Sequence, residues 1–260
     1  MTDYVFAIDG STARATRFAA GPWDPRLQHG GAPSALVAWA AEQVETPAPM
    51  RIARLTVELL RPVPVGELAI ETDVLRQGRK IQLVQVRLLA EGTEVTRAVV
   101  LKVRTSSLPL PDGAGMPALA APEPEAIPAS GMGIPTAENF GANFDMRRLA
   151  GGFAELGPGR VWFRQHRPLV AGQPISPAMR AAAVADFSNG ISAVLPFADW
   201  TFLNGDLTVS LAREPQGEWI FSDAETWVGA DGTGVATTRL ADREGYFGQA
   251  IQSLILERRA

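Results

Sequence analysis

The feature that most constrains the fold is an internal repeat, because one stretch of sequence occurs in both halves of the chain. The first copy starts at Leu55 with LTVELLRPVPVGEL, and the second starts at Leu207 with LTVSLAREPQGEW. Thr56 aligns with Thr208, so the copies lie 152 residues apart. The repeat predicts two similar folding units in one chain.

A proline-rich segment separates the two copies. Seven of the 20 prolines fall within residues 106–137. They are Pro109, Pro111, Pro117, Pro122, Pro124, Pro128 and Pro135. Proline lacks a backbone N–H and fixes φ, so neither a helix nor a central strand is expected here. The sequence therefore predicts an N-terminal domain over residues 1–107, a linker over 108–140 and a C-terminal domain over 141–260.

Each copy is predicted to form a run of antiparallel strands. Apolar and polar residues alternate through residues 68–74 and 95–103, which is the period of a strand buried on one face. Turns that contain glycine, such as Gln77-Gly78 and Asp231-Gly232, separate the strand-like segments.

One helix is predicted before each run of strands, from about Ala32 to Val44 and from about Pro177 to Asn189. Ser176 before Pro177 is a typical helix start, because serine caps the first turn and proline suits its first position. One helix per sheet of about five strands favours an α+β fold in which each antiparallel sheet wraps around one central helix. Two such halves with joined sheets would form a pseudo-dimer.

The composition argues against several function classes. The net charge of −4 is unusual for a nucleic-acid-binding protein. There is no cysteine for a thiolate nucleophile, and with only His29 and His166 a metal site built on imidazole is not expected. The sequence shows neither a signal peptide nor an apolar run long enough to span a membrane. We expect a cytoplasmic protein without an imidazole-based metal site, a nucleic-acid partner or a membrane anchor.

Asp186 is the main candidate for chemistry, since it lies in the otherwise apolar segment MRAAAVADFSNGISAVL. Its helical neighbours Ala182, Ala183 and Gly190 are small, which would let a substrate or a water approach the carboxylate. Burying a carboxylate without hydrogen-bond partners is strongly unfavourable. The alternative is an aspartate near the helix end that faces solvent.

Gln252 is the second candidate. It shares a predicted strand face with Ala250, Leu254 and Leu256, whereas the first copy has Val100 at the corresponding position. A buried amide needs hydrogen-bond partners, and a carboxylate or a water would serve. The alternative is an exposed glutamine on an edge strand.

The sequence resembles a known family in WDPRLQHGGAPSALVAWAAE, RLTVELLRPVPVGEL, WTFLNGDLTVSLAREPQGEW and DGTGVATTRLADREGYFGQAIQSL. These segments are similar to thioesterase-superfamily proteins of the double hot-dog type, relatives of bacterial acyl-CoA thioesterase II. The resemblance covers nearly the whole chain outside the proline-rich segment. It implies a tandem hot-dog fold, hydrolysis of acyl-CoA thioesters and no cofactor, and paired hot-dog sheets imply a homo-oligomer.

The resemblance also implies a site. The family has an aspartate on the second helix, a hydroxyl residue near the next strand and a glutamine on the last strand. Asp186 and Gln252 match two of these positions, and Asn204 stands at the hydroxyl position with Thr208 close by. In a regular strand Asn204 would lie on the polar face with Thr208, unless a bulge near Gly205 turns it inward.

The expected chemistry is direct attack by water on the thioester carbonyl. Asp186 would act as general base, and the amide of Gln252 would position the water. Backbone N–H groups of Gly30 and Gly31, before the first helix, could bind the oxyanion. His29 could contact the substrate, although a loop histidine and a tight glycine turn also have purely structural uses.

Two rival functions stay open at this point. A hot-dog enoyl-thioester hydratase usually uses an Asp–His pair, and no histidine follows Asp186 within helical reach. A non-catalytic acyl-binding protein would retain the fold without turnover, and the replacement of the hydroxyl residue by Asn204 keeps that alternative open.

Overall fold

A computed structural model describes residues 4–131, 138–152 and 155–259. The first half of the chain contributes β1 (Phe6–Asp9), β2 (Thr12–Ala15), α1 (Gly31–Gln43), β3 (Met50–Leu59), β4 (Glu67–Gln77), β5 (Ile81–Ala90) and β6 (Thr93–Arg104). The second half contributes β7 (Phe144–Ala150), β8 (Gly159–Gln165), α2 (Pro177–Ala185), α3 (Ser188–Ile191), β9 (Trp200–Asn204), β10 (Asp206–Leu211), β11 (Trp219–Val228), β12 (Thr233–Asp242) and β13 (Gly245–Arg258).

These strands form one antiparallel sheet across both halves of the chain. The order is β1-β2-β4-β5-β6-β3-β10-β13-β12-β11-β8-β7, and β9 pairs with β13. The halves meet where β3 pairs with β10, and there Thr56 lies directly opposite Thr208. The two threonines that align in the repeat are thus neighbours at the joint.

The two long helices are buried between the strands and pack against each other. Helix α1 lies against β3, β4, β5 and β6, and α2 lies against β10, β11 and β12. Every residue of α1 from Gly31 to Ala41 is buried. A helix that is apolar on all sides must be buried in this way, and its many alanines allow the neighbouring helix to come close. This packing brings the start of α1 beside the end of α2.

The start of α2 follows the sequence prediction, and its end does not. Ser176 caps the helix, since its Oγ accepts a hydrogen bond from the N–H of Met179 at 3.1 Å. The helix ends at Ala185 and has Asp186 as its C-cap, so the predicted extension to Asn189 is wrong. The Ser188 hydroxyl donates to the carbonyl of Ala185 at 2.6 Å, and such a local bond competes with helix continuation.

The described part of the proline-rich segment has one short 3₁₀ turn, Pro124–Ala126, and packs along the second half. The indole N–H of Trp162 donates to the carbonyl of Pro122, and Tyr246 N–H donates to that of Pro117. Leu119 and Ile127 pack against the buried cluster that contains Trp162. The predicted break in regular structure is present there, whereas Pro135 lies outside the described residues.

A buried ion pair anchors the end of β12. The carboxylate of Asp242 is fully buried and accepts bonds from both terminal nitrogens of Arg213, at 2.5 and 2.6 Å, and from the N–H groups of Gln216 and Glu244. Burial alone would raise the pKa of the Asp242 carboxyl. The hydrogen bonds from Arg213, Gln216 and Glu244 lower the pKa by more than burial raises it, so it lies below its usual value.

Replacing Asp242 by Asn should lower the free energy of unfolding by about 3 kcal/mol at neutral pH, because it leaves Arg213 without its charged partner. A lowered pKa stabilises the fold above the ordinary carboxyl value of 3.8, and this contribution disappears as the pH falls through the folded value. Urea unfolding of both proteins at about pH 7 and about pH 3 checks this. Asp112 is exposed, so the control variant Asp112→Asn should leave the free energy of unfolding unchanged at both pH values. An equal loss of stability in Asp242→Asn at both pH values would contradict the prediction.

Candidate active site

A cavity of about 370 Å³ lies at the junction of the two halves. The first half lines it with residues 20–24, 27–30 and 59–63, and the second half with residues 186–187, 189–190 and 202–205 together with Ile255. Trp23, Leu27, Val63 and Phe202 give it a largely apolar wall. One carboxylate at this wall, that of Asp186, has almost no contact with solvent, since its side chain is 2% exposed.

The start of α1 comes directly against the Asp186 carboxylate. A Cβ placed on Gly30 would lie 2.8 and 2.9 Å from the two carboxylate oxygens. Gly30 has φ −57° and ψ −24°, which any residue adopts, so space and not backbone conformation requires glycine here. Gly31 is also confined, because its Cβ would lie 2.8 Å from the carbonyl oxygen of Ala183.

Two amide side chains hold one oxygen of Asp186. Asn204 donates from Nδ2 to Oδ1 at 2.8 Å, and Gln252 donates from Nε2 to the same oxygen at 3.0 Å. Gln252 also approaches the backbone carbonyl of Asp186 at 3.4 Å and accepts from the N–H of Asn189 at 3.2 Å. The structure thus brings together three side chains that sequence reasoning had singled out.

Asn204 points inward because the strand is interrupted beside it. Strand β9 ends at Asn204 and β10 begins at Asp206, with Gly205 between them. The backbone of Gly205 bonds to the strands on either side of it. Its N–H donates to the carbonyl of Ser253 in β13, and its carbonyl accepts from the N–H of Leu59 in β3. The expectation of a polar-face Asn204, drawn from a regular strand, is therefore wrong, and the irregularity considered near Gly205 is present.

Gln252 does not face the cavity. Its side chain is fully buried and is absent from the lining residues. Its Nε2 lies within hydrogen-bond distance of two oxygens of Asp186, the backbone carbonyl at 3.4 Å and Oδ1 at 3.0 Å. The predicted role of Gln252 in positioning the water stays a prediction, and in the structure its amide donates to the Asp186 carboxylate.

Thr208 lies away from this cluster. It sits in β10 between Thr56 and Ile251, in phase with the exposed Ser210 and out of phase with the buried Leu207 and Val209. The structure therefore does not bring Thr208 to the place of the third residue, which Asn204 occupies.

His29 completes the cluster from the first half of the chain. Its Nδ1 lies 2.9 Å from Oδ2 of Asp186, and its side chain is 14% exposed. The ring packs against the rings of Phe140, at 5.1 Å, and Phe187, at 4.6 Å, which also contact each other at 5.9 Å. No histidine follows Asp186 along the chain within helical reach, but His29 reaches it from the first half, so the expected lack of an Asp–His pair does not hold in the folded chain.

Among residues 4–131, 138–152 and 155–259, no group of three or more His, Asp or Glu side chains could hold a metal ion. No helix in the same ranges is long and apolar enough to cross a membrane.

Comparison with known proteins agrees with this architecture. The family described as "Acyl-CoA thioesterase C-terminal domain" matches residues 116–256, and the one described as "Acyl-CoA thioesterase N-terminal domain" matches residues 19–103. Among curated protein sequences, none matches this chain significantly.

Several solved structures share the fold at low sequence identity. A conserved hot-dog protein of unknown function from Alicyclobacillus acidocaldarius is 16% identical, with 98% of this chain and 96% of that chain covered and a TM-score of 0.76. The tesB protein of Mycobacterium avium subs paratuberculosis is 15% identical, with 95% and 92% covered and a TM-score of 0.71.

An acyl-CoA thioesterase II, TesB2, from Mycobacterium marinum is 15% identical, with 98% and 94% covered and a TM-score of 0.65. These likenesses show that the chain has the hot-dog fold. The C-terminal family match alone spans more than half of the sequence. The chain therefore belongs to the acyl-CoA thioesterase family.

Proposed function

We propose that this protein hydrolyses acyl-CoA thioesters to a carboxylic acid and CoA in the cavity beside Asp186. The observation that carries the proposal is a nearly enclosed carboxylate at the wall of an apolar cavity, held by side chains from both halves. The apolar wall suits the acyl group of such a substrate. A homo-oligomer and a cytoplasmic location stay predictions.

We also propose that the fold is a tandem of two hot-dog units, with α1 and α2 as their central helices. The sequence repeat, the pairing of Thr56 with Thr208 and the contact of each helix with the strands of its own half support this arrangement. The predicted domain bounds, 1–107 and 141–260, belong to the same proposal, and 108–140 would connect the units.

The reaction needs a base for the attacking water and a donor for the developing oxyanion. Proton transfer to a positioned base typically accelerates such a step by about 10²–10⁴-fold, and the Asp186 cluster would supply it. Asn204 and Gln252 would act as positioning residues for the carboxylate. The N–H groups of Gly30 and Gly31, at the start of α1, are the proposed oxyanion donors.

Release of free thiol from a panel of short, medium and long acyl-CoAs tests the proposal directly. The wild-type protein should release CoA from at least one chain-length class with saturation kinetics. Failure to release thiol from any of them, together with tight binding of an acyl-CoA, would overturn hydrolysis in favour of a non-catalytic acyl-binding protein.

Hydration of an enoyl thioester is the second candidate, and the contact of His29 with Asp186 favours it, because an Asp–His pair can add or remove a proton at carbon. The same panel separates the two reactions when an enoyl-CoA is included. Hydration consumes the conjugated double bond without releasing thiol, whereas hydrolysis releases thiol. We expect thiol release.

Replacing Gln252 by Met should lower kcat by about 10–100-fold, the equivalent of a lost hydrogen bond to a charged group. KM should change little, because Gln252 does not line the cavity. Steady-state kinetics on the preferred acyl-CoA measures both constants. Gln249→Met, an exposed change on the same strand, is the matched control. A rise in KM with unchanged kcat would contradict a positioning role.

A further inference from the structure

We infer that His29 is the catalytic residue that takes the proton from the attacking water, and that Asp186 acts by holding its ring. The inference rests on the proposed function, thioester hydrolysis in this cavity. It changes the role of Asp186 from the base itself to the partner of the base. Three features of the cluster carry it.

The first feature is that the Asp186 carboxylate is already occupied. Oδ1 accepts hydrogen bonds from Asn204 and Gln252. Oδ2 lies 2.9 Å from Nδ1 of His29, and the Gly30 backbone closes the adjacent space. With 2% of its side chain exposed, the carboxylate has little room to receive a water and then a proton.

The second feature is that the other ring nitrogen of His29 is available. His29 lines the cavity. Its Nε2 has no hydrogen bond to any residue of the described ranges, and it is not among their enclosed atoms that lack a partner. An atom that is neither bonded nor enclosed can bind a water in the cavity. The rings of Phe140 and Phe187 fix the direction in which it points.

The third feature is the placement of the ring proton. Nδ1 lies 2.9 Å from Oδ2 of Asp186 and also faces the backbone N–H of Gly31, which donates to it at 3.0 Å when Nδ1 is bare. A bare Nδ1 would set its lone pair against a carboxylate oxygen, which is repulsive when Asp186 is ionised. A proton on Nδ1 turns this contact into a charge-assisted hydrogen bond and leaves the lone pair on Nε2. A protonated Nδ1 gives up the neutral bond from the Gly31 N–H, and the charge-assisted bond to Asp186 is the stronger of the two.

The proton transfers then balance in two steps. As the water oxygen bonds to the thioester carbon, its proton moves to Nε2, and the carbonyl π electrons move to the oxygen to form an oxyanion. When the carbonyl re-forms, the C–S bond breaks and the thiolate takes the proton back from Nε2. The products are the carboxylic acid and the free thiol, and the neutral ring is restored.

Which ring nitrogen of His29 carries the proton can be measured without following the reaction. The chain has only two histidines, and His166 is 45% exposed, so the variant His166→Gln leaves a single imidazole to observe. ¹⁵N NMR of this variant, at a pH where the ring is neutral, should show a protonated Nδ1 and a bare Nε2. A ring protonated at Nε2 would overturn the inference, whatever the activity of the protein.

Kinetics tests the proton transfer itself. His29→Asn keeps a short donor toward Asp186 but lacks Nε2, and it should lower kcat by about 10²–10⁴-fold. In His29→Ala, added imidazole should restore part of the lost rate, which a purely structural role would not produce. His166→Gln should match the wild type.

The two proposals can fail separately. An active wild type together with a His29→Asn variant that keeps half of its kcat would overturn the role of His29 and leave hydrolysis intact. A wild type that releases no thiol would overturn the proposed function and, with it, the transfer to His29.

Discussion

Replacing Asp186 by Asn should lower the rate of thiol release by about 10²–10⁴-fold while the protein stays folded. Asparagine has nearly the same shape, so Asn204 and Gln252 can still donate to its remaining oxygen. The atom facing His29 becomes either an amide nitrogen or a neutral oxygen. An amide N–H there favours a bare Nδ1, which places the ring proton on Nε2 and removes the base.

The measurement is kcat on the acyl-CoA that the wild type prefers, combined with circular dichroism and thermal unfolding to confirm the fold. Asp231→Asn, an exposed change in the turn between β11 and β12, should keep wild-type activity. An Asp186→Asn variant with full activity would show that this carboxylate has no part in the reaction. The site would then have to lie elsewhere.

The parts of the fold that the sequence predicts well are those set by local chemistry. Ser176 and Pro177 mark the start of α2 because a cap needs only its own first turn. The end of that helix was predicted too late. The Ser188 hydroxyl that competes with helix continuation accepts a bond from Thr238, and Asp186 accepts bonds from Asn204 and Gln252. These contacts come from strands far along the chain.

The site residues also divide into those that local sequence reveals and those whose placement depends on contacts far along the chain. Asp186 and Gln252 stand out because a polar residue breaks an apolar pattern, and family resemblance adds Asn204. The inward direction of Asn204 depends on the interruption at Gly205, which periodicity alone does not reveal. The contact of His29 with Asp186 depends on the packing of α1 against α2, so it becomes visible only in the folded chain.

Replacing Gly30 by Ala should lower kcat by about 100-fold, because the added methyl group occupies the space of the Asp186 oxygens. A Cβ at this position would lie 2.8 and 2.9 Å from those oxygens, so either the carboxylate or the start of α1 must move. Movement of the carboxylate strains its bonds to Asn204 and Gln252 and displaces His29. A shift of about 1 Å in such a cluster is enough for this loss of rate.

Gly66→Ala is the matched control, because a Cβ at Gly66 would meet no atom within 4 Å. Both variants place alanine where the backbone accepts it, so a difference between them reports the space around the carboxylate and not the loss of glycine flexibility. The comparison of kcat with thermal stability is decisive. A Gly30→Ala protein that unfolds earlier yet keeps its kcat would mean that the tight contact only supports helix packing. A protein of unchanged stability with a strongly reduced kcat would mean that glycine is required here to let the two halves place His29 and Asp186 in contact.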